Sequence, residues 1–302
     1  MPPSKLALVM PVHNGAAFIT EALQSALAQT RPPDEIIVVN DGSTDATAHL
    51  VEDLKLPNLS LINQAQGGPA AARNAGVAAS SAQYIAFLDA DDIWEGDKLE
   101  RQLHVLESRP DVGLVHCSVS YINADGTAIS KPTYAHSKPG VWRAMLGFNE
   151  RYLVRCGSAP LLRRSSFEDL GGFKPQLSFA EDWELYSRLA LSEEVVALRE
   201  PLLRYRQHDS NLTADYTTMV TSFERAIEAL YEDVPAALQN LKYRAYGRSF
   251  LNVAWRAHYA HDAAAARQLF ERALTTYPRL RYSRSGLRFA LQQLRSFSLH
   301  AS

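Results

Sequence analysis

The amino-acid sequence predicts an α/β protein with a mainly parallel central sheet, followed by a C-terminal helical extension. Over residues 1–120, apolar strand-like runs alternate with segments of helical periodicity, which is the pattern of repeated βαβ units. Polar loops follow several of these runs, at the sheet edge where open α/β folds bind ligands. After residue 212 the sequence is rich in Ala and Leu and has almost no strand signal.

Five strands and four helices are predicted in the first 120 residues. The strands are short apolar runs bounded by turn residues: Leu6–Val12, Glu35–Asn40, Leu59–Asn63, Tyr84–Leu88 and Gly113–Ser120. The helices are Ala17–Gln29, a segment ending near Leu54, Pro69–Ala79 and Lys98–Glu107. The second helix has a capping signal at Ser43–Asp45, and Pro69 suits the first position of the third. This order implies a parallel sheet with helices on both faces.

The acidic loop after the fourth strand is the strongest candidate site. The run Tyr84–Leu88 leads directly into Asp89, Asp91 and Asp92. Three carboxylates this close repel one another, which raises their pKa values unless a cation lies among them. Carboxylate oxygens suit Mg²⁺ or Mn²⁺, and these ions often complete their coordination with substrate phosphates. The loop therefore predicts a divalent-metal site.

Three other interpretations of this loop stay open. Asp92 or Asp97 could cap the next helix. An EF-hand calcium loop matches at four acidic positions, Asp89, Asp91, Asp97 and Glu100. Against it, Ile93 and Trp94 stand where that loop needs a ligand and a glycine. Phosphatases of the haloacid-dehalogenase type also place Asp-x-Asp after an apolar strand, although their pair lies near the start of the domain and is followed by Gly-Thr.

Composition places the chain among ordinary globular proteins and argues against several classes. Its 302 residues are 46% hydrophobic and 21% charged, and no apolar run is long enough to span a membrane. The net charge of −2 argues against a nucleic-acid partner, and two cysteines make no disulfide framework or metal spacing, which suits a reducing cytoplasm. Charge is uneven, because residues 262–302 hold seven arginines against Asp262 and Glu271. Residues 262–302 therefore carry a net charge of +5, and the rest of the chain carries −7.

Three further loops are expected beside the acidic loop, because the carboxyl ends of parallel strands meet at one edge of a sheet. They are Pro11-Val12-His13-Asn14-Gly15, Asn40-Asp41-Gly42-Ser43-Thr44-Asp45 and Gln66-Gly67-Gly68-Pro69. The last is a tight turn at a helix start, which favours an anion, and Arg73 lies one turn inside that helix. Asp41 is an acceptor suited to the N–H of a uracil or to a ribose hydroxyl. Each motif alone is weak evidence, since turns and helix caps use the same residues.

Taken in this order and spacing, the four loops resemble those of family two glycosyltransferases of the GT-A fold, of the non-processive bacterial type. The usual family motifs are Pro-x-x-Asn, Asp-Asp-Gly-Ser-x-Asp, Ala-Arg-Asn-x-Gly and Asp-x-Asp-Asp, and this chain departs from them in having Asn40 at the first Asp position. Later segments also resemble the family: Gly171-Gly172-Phe173, Glu181-Asp182-Trp183 and Tyr205-Arg206-Gln207-His208. The resemblance covers roughly residues 4–210. Processive members carry Gln-x-x-Arg-Trp, whereas Ser296 follows Arg295 here.

The resemblance implies a role for each matching residue. The implied donor-binding residues are Pro11, Val12, Asn14, Asp41, Gly68, Arg73, Asp89 and Ala90. Asp91 would ligate Mn²⁺ or Mg²⁺, with help from His208. Asp182 would be the general base, with Glu181 as the second catalytic candidate. Structural roles stay open for His208 and for both carboxylates, because the helix dipole favours acidic residues at a helix start.

The resemblance also implies a reaction and a domain plan. We expect inverting transfer of a sugar from a nucleotide-diphosphate donor, with a UDP-sugar as the first candidate, to a glycan or glycolipid hydroxyl in cell-surface polysaccharide synthesis. Residues 1–212 would form the GT-A domain, divided into a nucleotide-sugar-binding half (1–120) and an acceptor-side half (121–212), and residues 213–302 the helical extension. The alternatives are a dehalogenase-like phosphatase and a non-catalytic nucleotide-sugar-binding module.

The end of the extension has the pattern of a basic amphipathic helix. If residues 282–297 are helical, one face carries Leu287, Ala290, Leu291 and Leu294, and the arginines lie on or beside the other, at Arg284, Arg288 and Arg295. Such helices can lie on anionic membranes, which would suit a lipid-linked acceptor and a peripheral position at the inner face of the cell membrane. Packing of the apolar face on the catalytic domain is the alternative.

Overall fold

The computed structural model describes residues 5–149, 151–152, 156–208 and 216–300, with side chains through residue 292. One eight-stranded sheet forms the centre. Its strands are β1 (Leu6–Val12), β2 (Glu35–Asp41), β3 (Leu59–Gln64), β4 (Tyr84–Phe87), β5 (Ile93–Trp94), β6 (Val112–Ile122), β7 (Leu161–Arg163) and β8 (Glu194–Arg206). Their order across the sheet is β3-β2-β1-β4-β7-β6-β8-β5.

The sheet is mainly parallel, as predicted. Strands β3, β2, β1 and β4 are parallel neighbours, and β6 pairs in parallel with β8. The short strands β7 and β5 pair antiparallel with their neighbours. All seven residues of β1 are buried, and because successive side chains of a strand point to opposite faces, both faces of the sheet are covered there.

Eleven α-helices are present in the described ranges. Those of the sheet region are α1 (Ile19–Leu27), α2 (Thr47–Glu52), α3 (Pro69–Ala78), α4 (Lys98–Ser108), α5 (Trp142–Leu146), α6 (Arg164–Asp169) and α7 (Glu181–Ser192). Those of the extension are α8 (Tyr216–Asp233), α9 (Leu241–Tyr259), α10 (Ala263–Thr276) and α11 (Arg284–His300). All nine elements predicted in the first 120 residues are present, with ends shifted by no more than about two residues; β5 is the one strand there that the sequence did not predict.

The close packing of α3 on the sheet explains why the Arg-Asn-x-Gly motif has that form. A Cβ atom at Gly76 would lie 2.4 Å from Cγ1 of Val9 in β1, so only glycine lets the helix approach this closely. Asn74 uses both ends of its amide on the backbone of Phe173, donating to the carbonyl at 2.8 Å and accepting from the N–H at 3.0 Å. The motif therefore fixes α3 between the sheet and the turn that precedes α7.

The C-terminal helices form a second hydrophobic cluster beside the sheet domain. Its buried members come from α9, α10, α11 and the turn between the last two: Phe250, Leu251, Ala254, Ala257, Ala266, Ala273, Leu280 and Phe289. Helix α8 packs against both α7 and α9, which attaches the extension to the domain. The predicted boundary at residue 212 lies outside the described residues. Within the described ranges, no helix is long and apolar enough to cross a bilayer.

A buried lysine lies beneath the edge of the sheet. Lys98 is fully buried, its Nζ donates to Oε1 of Gln102 at 2.8 Å, and it lies 4.3 Å from the ring centroid of Trp94. No described carboxylate forms an ion pair with it. Burial lowers the pKa of Lys98 to about 8, so the protonated form is destabilised in the folded chain.

We expect Lys98→Met to leave stability at pH 7 unchanged or to raise it. A pKa lowered to about 8 corresponds to a penalty of roughly 3 kcal/mol on the charged amine, against about 1–3 kcal/mol for leaving Gln102 without its donor. The folded chain binds fewer protons than the unfolded chain between about pH 8 and 10, so wild-type stability rises over that range and the advantage of the variant shrinks. Thermal unfolding across pH measures this. Lys131→Met, on the surface, is the control, and a loss of stability at pH 7 with no such trend contradicts the prediction.

Candidate active site

The loops after β1, β2 and β4 meet at the carboxyl edge of the sheet, as predicted. Two more segments join them there, the start of α7 and the end of β8. The contacts that hold them together link residues up to 185 positions apart in the chain, as between Arg206 and Glu21. The structure thus brings acidic, basic and imidazole side chains to one edge, where a ligand is expected in this class of sheet.

Asp91 and His208 are in direct contact. Nε2 of His208 lies 3.0 Å from Oδ2 of Asp91, and the two side chains keep 14% and 25% of their exposure. The ring of His208 also lies on Phe18, with centroids 4.9 Å apart. Burial and the nearby Asp89 raise the pKa of Asp91, and the contact with His208 offsets part of this rise. A partly exposed carboxylate of this kind gains from a cation beside it.

The pair offers two atoms of the kinds that divalent metals accept as ligands. Oδ2 of Asp91 and Nε2 of His208 lie 3.0 Å apart, at hydrogen-bond distance, and both side chains are partly exposed. Among the described side chains, no group of three or more His, Cys, Asp or Glu is arranged to hold a metal. Mg²⁺ and Mn²⁺ are commonly held by one or two protein ligands together with substrate phosphates. Asp91 and His208 are therefore the residues that would hold such an ion.

Asp92 is a buried residue that holds the acidic loop in position. Its side chain is fully buried and accepts hydrogen bonds from Oγ of Ser158 at 2.6 Å and from the backbone N–H of Arg206 at 3.0 Å. Burial, together with Asp91 and Asp89, raises the pKa of Asp92 well above its ordinary value. The guanidinium of Arg206 donates to the backbone carbonyl of Asp91 at 2.9 Å. Asp92 and Arg206 thus fix the loop that carries Asp91.

The helix-cap interpretation holds for Asp97 in position only. Asp97 is the N-cap residue of α4, but its carboxylate makes no capping hydrogen bond and accepts from Arg101 instead. Asp92 does not cap the helix, because it is buried among other partners. An EF-hand does not form either, since Ile93 and Trp94 pair with β8 as strand β5. Glu100, the fourth candidate calcium ligand, accepts from the hydroxyl of Thr30 instead.

Arg73 forms two ion pairs between different segments of the site. Its guanidinium is 5% exposed and donates to Oδ1 of Asp89 and to Oε1 of Glu181, both at 2.6 Å. A Cβ atom at Gly157 would lie 2.7 Å from Nη2 of Arg73, so the glycine leaves room for the guanidinium. The two carboxylates raise the already high pKa of Arg73 against the effect of burial. The bridge therefore ties the acidic loop to the first residue of α7.

Asp182, next to this bridge, has no such cation. Its Oδ1 accepts the N–H of Trp183 at 2.7 Å, and no described residue donates to Oδ2. Burial and the negative charge of Glu181 raise the pKa of Asp182 to about 7, with Arg73 opposing. A carboxylate with this pKa can take a proton near neutral pH. Glu181, held by Arg73, is buried and already paired.

Asp41 organises the neighbouring loop. Its carboxylate is 4% exposed and accepts three hydrogen bonds, from Nε2 of Gln64 at 2.7 Å and from the N–H groups of Gly67 and Gly68 at 2.8 Å each. The anion at the Gly-Gly turn is therefore the side chain of Asp41 itself. A carboxylate offers about four acceptor positions, so one remains for a ligand on Oδ2.

The other predicted donor-binding residues differ in how they can meet a ligand. Pro11 and Val12 are buried within β1, and Ala90 is 9% exposed, so these three can offer mainly backbone atoms. Asn14 is exposed with a φ of +53°, and its side chain accepts the N–H of Thr44 at 2.8 Å. Nδ1 of His13 lies 2.8 Å from the carbonyl oxygen of Asp41. Because the neighbouring side-chain amides of Asn14 and Gln66 both present donors to Nε2 of His13, Nε2 accepts and Nδ1 donates.

Sequence reasoning missed two buried residues, Ser158 and Arg206, that hold the acidic loop in position through hydrogen bonds. Ser158 lies in no recognisable motif, yet its hydroxyl also accepts the N–H of Asp89 at 3.0 Å. Arg206 was visible in the Tyr-Arg-Gln-His segment, but nothing local indicated that it binds Glu21 and the acidic loop. No local sequence signal identifies this role, because the burial of Arg206 is visible only in the structure.

Solved structures with the same architecture identify the fold. The chain matches Staphylococcus aureus TarS residues 1–349, solved with UDP-GlcNAc, at a TM-score of 0.60 and 16% identity, over 91% of this chain and 92% of that one. It also matches the mannosyltransferase PcManGT of Pyrobaculum calidifontis, solved with GDP-Man and Mn²⁺, at 0.61 and 19%, over 96% and 87%. Identities this low concern the fold alone. The fold is that of the GT-A glycosyltransferases, which confirms the sequence prediction.

The chain belongs to the glycosyl transferase family 2, which matches residues 7–171, more than half of its length. An uncharacterized glycosyltransferase of Haemophilus influenzae is 31% identical over 196 residues, which are 62% of this chain and 77% of the relative. EpsJ of Bacillus subtilis, also an uncharacterized glycosyltransferase, is 30% identical over 216 residues, or 69% and 62%. A relative from Nostoc is matched over only 36% of its length. The family assignment leaves the dehalogenase-like alternative without support.

Proposed function

We propose that this protein is an inverting glycosyltransferase that moves a sugar from a nucleotide-diphosphate donor to a hydroxyl of a glycan or lipid-linked acceptor. The observation that carries the proposal is the Arg73 bridge, which places Asp89 of the acidic loop and the carboxylates that open α7 around one cation. Donor binding on the one side and proton removal on the other are the two tasks that glycosyl transfer requires. The uridine and guanosine donors present in the solved relatives support the donor class.

In this proposal the residues on the donor side and those on the acceptor side have separate roles. Asp41 and Asn14 position the nucleoside, and Asp89 reaches the ribose or sugar. Asp91 and His208 would hold Mn²⁺ or Mg²⁺, and the bound ion would supply positive charge to offset the charge of the leaving diphosphate. Asp182 takes the proton of the acceptor hydroxyl as the bond to the sugar forms from the opposite face. Inversion follows from this single displacement.

A cytoplasmic position at the inner face of a membrane fits the proposal. Cys117 and Cys156 are both buried free thiols, which suits a reducing compartment. A lipid-linked acceptor would be reached at the membrane surface, as in the assembly of cell-surface polysaccharides.

A thermal-shift screen of UDP-, GDP- and other nucleotide sugars, with and without Mn²⁺, tests the donor class. A ligand that binds only the folded chain at about 100 times its Kd adds about 2.7 kcal/mol to the free energy of unfolding, so we expect a rise in Tm of several degrees with the true donor and metal together. Donor hydrolysis in the same mixtures, measured as released nucleotide diphosphate, tests catalysis. Binding without any turnover on any acceptor indicates a non-catalytic module, and phosphate release from small phosphomonoesters without nucleotide preference indicates a phosphatase.

A further inference from the structure

The last helix of the chain is anchored by one face and leaves leucines exposed on the other. In α11, Gly286 and Phe289 are buried, and the ring of Phe289 lies 4.8 Å from that of Trp255 and 4.7 Å from that of Phe270. Leu287 and Leu291 keep 51% and 59% of their exposure. Leu287 and Leu291 therefore do not pack on the catalytic domain, which was the alternative to membrane contact for this face.

Arginines share the exposed face with the leucines. Positions 284, 287, 288 and 291 are separated by three or four residues, so they lie on the same side of the helix. The turn before the helix adds Arg281 and Tyr282, and Tyr282 is 80% exposed. We call this set the tail surface: Arg281, Tyr282, Arg284, Leu287, Arg288 and Leu291. The sequence predicted the arginines either on the face opposite the leucines or at its border. Arg284 and Arg288 lie at the border, beside Leu287 and Leu291.

The charge of the tail surface is unopposed. The sequence has no Asp or Glu after Glu271, and no arginine of the tail surface forms an ion pair with a described carboxylate. Arg288 instead lies 5.9 Å from the ring of Trp255. Positive charge is concentrated at this end of the chain, whereas the remaining residues together carry a net negative charge. A symmetric contact with the same surface of a second copy would bring like charges together, which disfavours that occupant.

We propose that the tail surface binds an anionic lipid membrane. The leucines are placed to enter the boundary between headgroups and acyl chains, tyrosine is suited to that interface, and the arginines on the same face pair with lipid phosphates. The helix lies flat on the surface, anchored to the protein through Phe289 and Gly286. Lipid binding itself does not depend on the proposed function; its consequence, delivery of the site to a lipid-linked acceptor, rests on it.

Flotation of the full chain with vesicles tests the proposal. We expect binding to vesicles of phosphatidylcholine with 30% phosphatidylglycerol at low salt, weaker binding at 0.5 M NaCl, and little binding to phosphatidylcholine alone. Arg284→Gln with Arg288→Gln is expected to weaken partitioning roughly 30-fold, because each arginine near an anionic surface contributes about fivefold. Leu287→Gln with Leu291→Gln is expected to weaken it by at least roughly tenfold.

Matched variants on the sheet domain separate a local effect from a general one. Arg101→Gln with Arg109→Gln removes the same charge from exposed surface ion pairs, and Ile129→Gln removes an apolar residue that is 46% exposed. Both are expected to bind vesicles like the wild type. Equal losses in tail and control variants, or no wild-type binding at low salt, overturn the proposal. So does a dimer in solution that the leucine variant converts to monomer, because a second copy then covers the surface. Donor binding in the thermal-shift screen is unaffected by any of these outcomes.

Discussion

Asp182→Asn is expected to lower turnover by about 10² or more, since general-base assistance contributes roughly 10²–10⁴ to a rate. The substitution keeps the size of the side chain and its hydrogen bond from the N–H of Trp183, while removing the group that takes the proton. Because a base acts in the transition state, the affinities for donor and metal should change little. Initial rates with a true acceptor, together with donor binding by thermal shift, measure the two effects separately.

The pH dependence of the reaction offers an independent signature of the same residue. With its pKa raised to about 7, Asp182 is protonated and inactive below that pH, so kcat/KM should rise with pH and level off above about pH 8. Asp182→Asn should remove this inflection. Glu181→Gln removes a negative neighbour that raises the pKa of Asp182, so the inflection should move to lower pH.

Glu181→Gln is also the control for the choice between the two carboxylates. Glu181 accepts from Arg73 at 2.6 Å, so its loss should disturb the bridge and lower the rate moderately without removing the pH inflection. If Asp182→Asn stays within a few-fold of the wild type while Glu181→Gln abolishes turnover, the base is Glu181. In that case the bridge to Arg73 must open during the reaction.

The sheet region was accessible from sequence because its signals are local. The residues of β1 and β4 are all buried, so these strands read as unbroken apolar runs, and polar loops mark their ends. The signal for α3 is also local, because Pro69 marks the start of the helix. Strand β5 was missed because two residues carry no periodicity, and its pairing with β8 joins positions more than a hundred residues apart.

The roles of individual site residues depended on contacts that no local pattern contains. Arg73 was predicted as a donor-binding residue, but its partners Asp89 and Glu181 lie 16 and 108 residues away. Asp41 was predicted to meet the nucleoside, and the three donors that already bind its carboxylate could not be read from its own motif. Asp92 was grouped with the other carboxylates of the acidic loop, because side-chain type reveals charge but not burial. The predicted roles of these residues toward a ligand stay predictions.

Asp91→Ala is expected to abolish the stabilisation that Mn²⁺ gives in the presence of UDP, without unfolding the chain. The side chain lies at a strand end and keeps 25% of its exposure, so its removal leaves no buried cavity. It also removes a negative charge that raises the pKa of the buried Asp92, so the variant without ligand should be as stable as the wild type or slightly more stable. Differential scanning fluorimetry with UDP, Mn²⁺ or both measures these quantities.

Asp97→Ala is the matched control, because it removes a carboxylate from the same segment that binds only the surface residue Arg101. This control should retain the full shift with UDP and Mn²⁺. His208→Ala should lose only part of it, since one ligand remains in Asp91 and the imidazole contributes no charge when it binds as a neutral ligand. A variant at Asp91 that still gains the whole Mn²⁺-dependent shift would remove that residue from the metal site. Asp89, held by Arg73 but still partly exposed, would then be the carboxylate left to hold the ion.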